Sequence, residues 1–220
     1  MRLPGHPIHG DEVRDLPVDW PSTRVSTTHG RVSDFVADDV TAPDGTVLRR
    51  EFLSHPGAVA VIALDEENRV AVVTQYRHPA GFRFLEPPAG LLDHAGENYL
   101  VAAQRELAEE AGLAAADWRV LVDVFTSPGC NSESIRIFLA RGLTEVGRPD
   151  GFELHGEEAD MELRWAALDD LIDGIYAGLI QNPTMVFGSL ALYGARDRLD
   201  SLRPPDAPWL ARDVKAKIGR

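Results

Sequence analysis

Two short apolar runs, residues 58–65 and 69–77, dominate the hydrophobic pattern of the first third of the chain. Both are rich in β-branched residues, and Glu66-Glu67-Asn68 joins them, which predicts a hairpin. Upstream, residues 32–40 and 46–54 alternate around Pro43-Asp44-Gly45 and predict a second strand pair. Residues 1–30 lack periodicity and read as an irregular N-terminal arm, with 31–56 as an N-terminal β element. Residues 82–86 predict a short strand, after which Pro87-Pro88 forces extended backbone. Residues 89–96 then read as a glycine-containing loop leading into a helix over 99–111. Leu100, Ala103 and Leu107 give that helix its buried stripe. Strands are expected at 119–125 and 134–140, around Ser127-Pro128-Gly129, and at 161–165. A long charged connection covers 142–158, and a connection of that length is usually functional or disordered. Helices are expected at 168–179 and 184–197, separated by Asn182-Pro183. The proline-rich, then basic, tail at 203–220 reads as mobile. Many short strands, one central helix and two late helices predict an α/β fold, a mixed sheet between helices, with the main domain over 57–202.

Composition narrows the partners. Asp and Glu outnumber Lys and Arg 35 to 22, a net charge of −13. That argues against nucleic acid or an anionic membrane as a main partner, but not against a small anionic substrate. The lone cysteine, Cys130, has no partner for an internal disulfide and fits a reducing compartment. No apolar signal core precedes Gly30, and the run 58–64 is too short to span a bilayer. A soluble, cytoplasmic protein is the expectation.

The central helix carries a pattern that folding alone does not explain. Arg105-Glu106-Leu107-Ala108-Glu109-Glu110-Ala111-Gly112 places three carboxylates in its last turns. Glu106 and Glu110 share one face at i,i+4, where like charges repel. Glu109 and Glu110 stand at the negative end of the helix dipole, before a glycine stop. Each effect costs only about 0.2–1 kcal/mol, but all point the same way. The pattern makes sense if a cation comes from solution, and clustered carboxylate oxygens suit a hard ion such as Mg²⁺ or Mn²⁺.

The full stretch is Gly90-x₆-Glu97-x₇-Arg105-Glu106-Leu107-x-Glu109-Glu110-x-Gly112. It resembles the Nudix box, the signature of hydrolases that cleave a nucleoside diphosphate linked to another group. The family pattern has five residues between its first Gly and Glu, and this chain has six. The extra residue falls around 93–96 and leaves the register from Glu97 onward intact. The resemblance implies a Nudix α/β/α sandwich. It also implies Glu106 and Glu110 as main metal ligands, Glu109 as a third, and the Ala89 carbonyl beside them. Gly90 lets backbone turn close to a metal or phosphate. Glu97 sits near the helix N-terminus, Arg105 can pair with Glu109, and Gly112 is the expected left-handed stop.

Features outside the box are similar to the ADP-ribose pyrophosphatase branch. They are the lead-in Leu85-Glu86-Pro87-Pro88-Ala89-Gly90, the Ser127-Pro128-Gly129 loop with Glu133, and Glu157-Glu158 at the end of the long connection. The likeness implies a loop glutamate as general base, with Glu158 favoured and Glu157 its rival. Arg77 and Arg50 are candidates to grip phosphate or ribose, against the alternative of surface ion pairs. Glu86 is a candidate for substrate contact or metal support, and Ser127 for substrate binding. Trp20, Phe35 and Phe82 are candidates to stack on a base, against core packing. The reading is hydrolysis of ADP-ribose to AMP and ribose 5-phosphate with Mg²⁺ or Mn²⁺, by a homodimer. Its alternatives are another nucleotide-sugar or dinucleotide pyrophosphatase (GDP-mannose, UDP-glucose, NADH) and a non-catalytic ADP-ribose-binding module.

Overall fold

The computed structural model describes residues 6–94, 96–149, 161–212 and 214. Among them lie ten strands and three α-helices. The strands are β1 (Ser22–Thr28), β2 (Asp34–Thr41), β3 (Val47–Ser54), β4 (Ala58–Ala63), β5 (Arg69–Arg77), β6 (Phe82–Glu86), β7 (Ala89–Leu91), β8 (Leu113–Phe125), β9 (Ser134–Glu145) and β10 (Arg164–Ala167). The helices are α1 (Tyr99–Ala111), α2 (Leu168–Tyr176) and α3 (Pro183–Ala195).

The central sheet runs β7-β4-β9-β8. It is mixed: β4 pairs parallel with β9, and the other two pairings are antiparallel. All six residues of β4 are buried, and their alternation sorts them between two cores. Val59, Val61 and Ala63 join Ala102, Ala103 and Leu107 of α1. Ala60 and Ile62 join Leu171 of α2 and Met185 and Leu192 of α3. The sheet is thus covered by α1 on one face and by α2 and α3 on the other. A second sheet, β10-β5-β6, is antiparallel and carries the β5–β6 hairpin into the region of the site.

α1 is bounded as its sequence dictates. Asn98 caps it, its side chain accepting from the Leu100 N–H at 2.9 Å. Gly112 ends it in the left-handed region, at φ 66° and ψ 27°, with its N–H on the Ala108 carbonyl. α3 opens with Pro183 behind an Asn182 cap that accepts from the Met185 N–H.

Several expectations need correction. Residues 1–30 are not irregular throughout, since β1 pairs antiparallel with β2 and completes a three-stranded sheet β1-β2-β3. All seven β1 residues are exposed, so main-chain pairing rather than apolar burial forms the strand. An Arg24–Asp38 ion pair joins the two strands. Residues 89–91 are a strand on the edge of β4, not the start of a loop. The strand expected at 161–165 begins at Arg164, and the buried Met161 precedes it.

The described part of the tail from Arg203 is packed against the fold. Trp209 is 3 % exposed, and the guanidinium of the buried Arg136 donates to the Ala207 and Pro208 carbonyls at 2.7 and 3.1 Å. Arg136 also forks onto Asp123 and lies over the Trp209 ring, 4.9 Å from its centroid. Main-chain contacts fasten the N-terminal sheet to the loop before β9: Leu53 N–H donates to the Cys130 carbonyl, and Ser132 N–H to the Leu53 carbonyl.

Candidate active site

The box residues meet where the carboxyl end of α1 passes the β6–β7 strand ends. Glu106 and Glu110 are 9 % and 7 % exposed on one face of α1. A Glu110 carboxylate oxygen accepts from the Ala89 N–H at 3.0 Å. Gly90 lies against Glu106 so closely that a Cβ there would stand 1.9 Å from its Oε1. A side chain at 90 would have to displace the Glu106 carboxylate, and that contact rather than conformational freedom favours glycine there.

Arg105 gathers the remaining carboxylates. Its Nη1 donates to Glu106 at 2.6 Å and to Glu109 at 3.1 Å. Its Nε and Nη2 grip Glu97 at 3.2 and 3.3 Å. The Glu109 partnership expected from i,i+4 spacing is therefore one of three. The Arg105 hydrogen bond holds the Glu97 carboxyl below its ordinary range, and Glu97 in turn pushes the guanidinium pKa up. Glu97 thereby ties the loop ahead of the helix to its middle.

These groups open onto a cavity of about 690 Å³. Six carboxylates line it: Glu86, Asp93, Glu106, Glu109, Glu110 and Glu133. Arg77 and Arg105 are the guanidinium groups among its described lining residues, with His55 and His94 also present. The N-terminal residues of α3, Asn182 to Thr184, form part of its wall. Arg77 forks onto the buried Glu86 at 3.0 and 2.6 Å, so the two act as one unit at the rim.

Two other candidates lie elsewhere in the chain. Arg50 is exposed on β3, bonds the Arg49 carbonyl, and borders a separate depression with Phe52, Phe125 and Pro128. Ser127 is exposed and contacts Cys130 at 3.3 Å, outside the carboxylate cavity. Within a single chain neither is brought to the α1 carboxylates. Glu157 and Glu158 lie outside the described residues. A cluster that sequence reasoning left unassigned is His55, Thr126 and Glu133. Thr126 Oγ1 donates to Glu133 at 2.7 Å, and His55 Nε2 stands 3.5 Å from its other oxygen. The signal was Glu133 in the Ser127-Pro128-Gly129 pattern. His55, far off in sequence, had none.

The NUDIX domain model matches residues 54–182, more than half of the chain and all of the cavity's box residues. The chain belongs to the Nudix family. Its curated relatives include ADP-ribose pyrophosphatases. That of Mycobacterium tuberculosis is 42% identical over 195 residues, spanning 88% of this chain and 93% of the relative. That of Bacillus subtilis is 40% identical over 115 residues, spanning 52% and 62%. A solved structure described as an ADP compounds hydrolase superposes with a TM-score of 0.66 at 18% identity, covering 84% of this chain and 99% of that one, and shows the same fold. Among the described residues no helix is long and apolar enough to cross a membrane.

Nudix hydrolases generally need a divalent cation, and the donor set here fits one in kind. Six carboxylates with oxygen donors only, ringed by few cations, suit a hard ion. The fit is in chemistry rather than in a preformed cage. Among the described residues no three His, Cys, Asp or Glu converge closely enough to hold an ion. Glu106 and Glu109 are turned onto Arg105, and Glu110 onto the Ala89 N–H. An incoming ion therefore competes with Arg105 for two of the carboxylates.

Proposed function

We propose that this Nudix hydrolase cleaves the pyrophosphate of ADP-ribose, with water, to AMP and ribose 5-phosphate. The observation that carries the substrate is the 42% identity to an ADP-ribose pyrophosphatase across nearly the whole of both chains. The acidic cavity supports the reaction class.

Glu106, Glu109 and Glu110, with the Ala89 carbonyl, are the residues that would hold Mg²⁺ or Mn²⁺. Such an ion neutralises phosphate oxygens and makes bound water more acidic. The chain's own groups do the rest. Arg77, held in place by its fork on Glu86, brings a guanidinium charge to the cavity rim where a phosphate would sit. The positive end of the α3 dipole at Asn182–Thr184 favours the same anion. Gly90 leaves room for Glu106, and Glu97 fixes Arg105 so that its Nη1 faces the helix carboxylates. We assign the general base to Glu158, with Glu157 as its rival, from their place in the sequence.

A cytoplasmic homodimer completes the reading. Its support is the outlying sheet, where Val25, Phe35 and Leu53 are 47%, 48% and 44% exposed. In that arrangement Arg50 and Ser127, remote from their own chain's carboxylates, could serve a shared site.

The test is a substrate panel of ADP-ribose, GDP-mannose, UDP-glucose and NADH with Mn²⁺, read as phosphate released by a coupled phosphatase. The highest kcat/KM is expected on ADP-ribose. Higher turnover on another member overturns the substrate assignment, and binding of ADP-ribose without hydrolysis makes the chain a binding module.

A further inference from the structure

The carboxyl end of α1 has no basic residue in its last turn, although Glu109 and Glu110 stand there. The cation comes instead from Arg148, in the segment following β9. Its Nε donates to the Glu109 carbonyl at 3.1 Å and its Nη2 to the Glu110 carbonyl at 3.3 Å. These are last-turn carbonyls that the helix itself leaves without partners. The segment is seated before Arg148 branches from it: Val146 and Gly147 N–H both donate to the Gly112 carbonyl, at 2.9 and 3.2 Å.

We infer that Arg148 is a positioning residue for the carboxylate pair, fixing the backbone from which Glu109 and Glu110 hang. The inference rests on the metal-holding role proposed for those side chains. A guanidinium fork suits it, because two donors in one plane fix two successive carbonyls together, whereas an ammonium reaches them as a point charge. Its charge also opposes the negative dipole end where the carboxylates crowd. Arg148 is exposed, so this second contribution weakens as salt rises. Arg148 bonds the main chain of Glu109 and Glu110 and is not among the described residues that line the cavity. It therefore acts through them rather than on substrate.

The experiment compares wild type, Arg148→Met, Arg148→Lys and, as a control at the other end of the helix, Asn98→Ala. Mn²⁺ uptake is read from the electron paramagnetic resonance signal of the free ion, without ADP-ribose. Steady-state rates on ADP-ribose are then measured across Mn²⁺ concentrations, with thermal melting in parallel. Arg148→Met is expected to weaken Mn²⁺ binding about tenfold, the scale of losing an outer support of a metal ligand. The Mn²⁺ needed for half-maximal rate should rise by the same factor, with kcat at saturating Mn²⁺ near that of wild type. Arg148→Lys should recover part of the loss, and Asn98→Ala should lower the melting temperature while leaving Mn²⁺ affinity alone. Unchanged Mn²⁺ affinity in Arg148→Met, whatever its melting temperature, overturns the inference. A wild type that binds Mn²⁺ but leaves ADP-ribose intact rejects the substrate reading alone, and one that takes up no Mn²⁺ rejects both.

Discussion

Gly90 and Glu106 share a space that holds one of them only if the other lacks a side chain. A Cβ at residue 90 would stand 1.9 Å from Glu106 Oε1 and 2.0 Å from its Cδ. Gly90→Ala must therefore push the Glu106 carboxylate aside or shift β7 away from α1. Overpacking of this kind costs about 1–3 kcal/mol. Urea denaturation should show that loss, and kcat on ADP-ribose should fall by more than the stability change accounts for. Full activity in Gly90→Ala would separate Glu106 from the reaction.

Glu110→Gln keeps an oxygen for the Ala89 N–H and removes the charge. The ion that neutralises phosphate oxygens would lose a charged ligand, and the expected cost is on the order of 10²–10³-fold in kcat, the scale of removing one electrostatic stabiliser of a transition state. The melting temperature should stay close to that of wild type, because the 3.0 Å hydrogen bond survives. Wild-type turnover in this variant would reject Glu110 as a ligand.

The Arg77–Glu86 unit predicts an asymmetry. Glu86 is 3 % exposed, whereas the Arg77 side chain is 43 % exposed. Arg77→Met leaves a buried carboxylate short of two donors and should cost about 1–3 kcal/mol by chemical denaturation. Arg77→Met combined with Glu86→Leu should recover part of that stability, but not the raised KM for ADP-ribose expected from losing the guanidinium. A double variant with normal KM would place substrate phosphate elsewhere.

Acid sensitivity should follow Glu97. Its carboxyl is held low in the folded protein, first by the Arg105 hydrogen bond. A depressed carboxylate stabilises the fold fully above its unfolded pKa, about 4.3, and that contribution is lost as pH falls through the lower folded value. Melting curves of wild type and Glu97→Gln should therefore differ most at neutral pH and converge as the pH is lowered below about 4. A gap that is the same at both ends of the range would mean that the pair does not hold Glu97 ionised.

The C-terminal segment should prove structural. Trp209 packs edge-on against Tyr99, the first residue of α1, at 5.1 Å between centroids, and beneath the Arg136 guanidinium. Trp209→Ala is expected to cost about 3–5 kcal/mol, the range for emptying a buried aromatic site. A change below about 1 kcal/mol would show that the segment is dispensable.

How much of this could be read in the chain depended on where each interaction is local. α1 was legible over residues 99–111, because its apolar repeat and left-handed stop lie within the helix or next to it, whereas its Asn98 cap emerged only from the structure. The carboxylate face was legible for the same reason. β1 was not, since Ser22–Thr28 buries no side chain and holds on through main-chain bonds to β2. The packing of the described tail is not legible in the sequence, because its partner, Arg136, lies far back on β9 and no periodicity links the two. Glu133 is marked by the Ser127-Pro128-Gly129 pattern and His55 by nothing local, for they meet only once β3 and the loop before β9 are joined. Arg148 belongs to the same class: nothing in its neighbours announces that it reaches the end of α1.

The parallel pairing of β4 with β9 has a consequence for how the enzyme comes into being. Ala60 lies beside Ile137, so the sheet's central seam joins stretches far apart in the sequence. Seams of that kind close slowly, because the intervening chain must be ordered before the contact stabilises anything. On the ribosome the carboxylate helix emerges well before β9, and its acidic face waits on a half-built sheet. Ion uptake during refolding is therefore expected to lag behind the first appearance of helix.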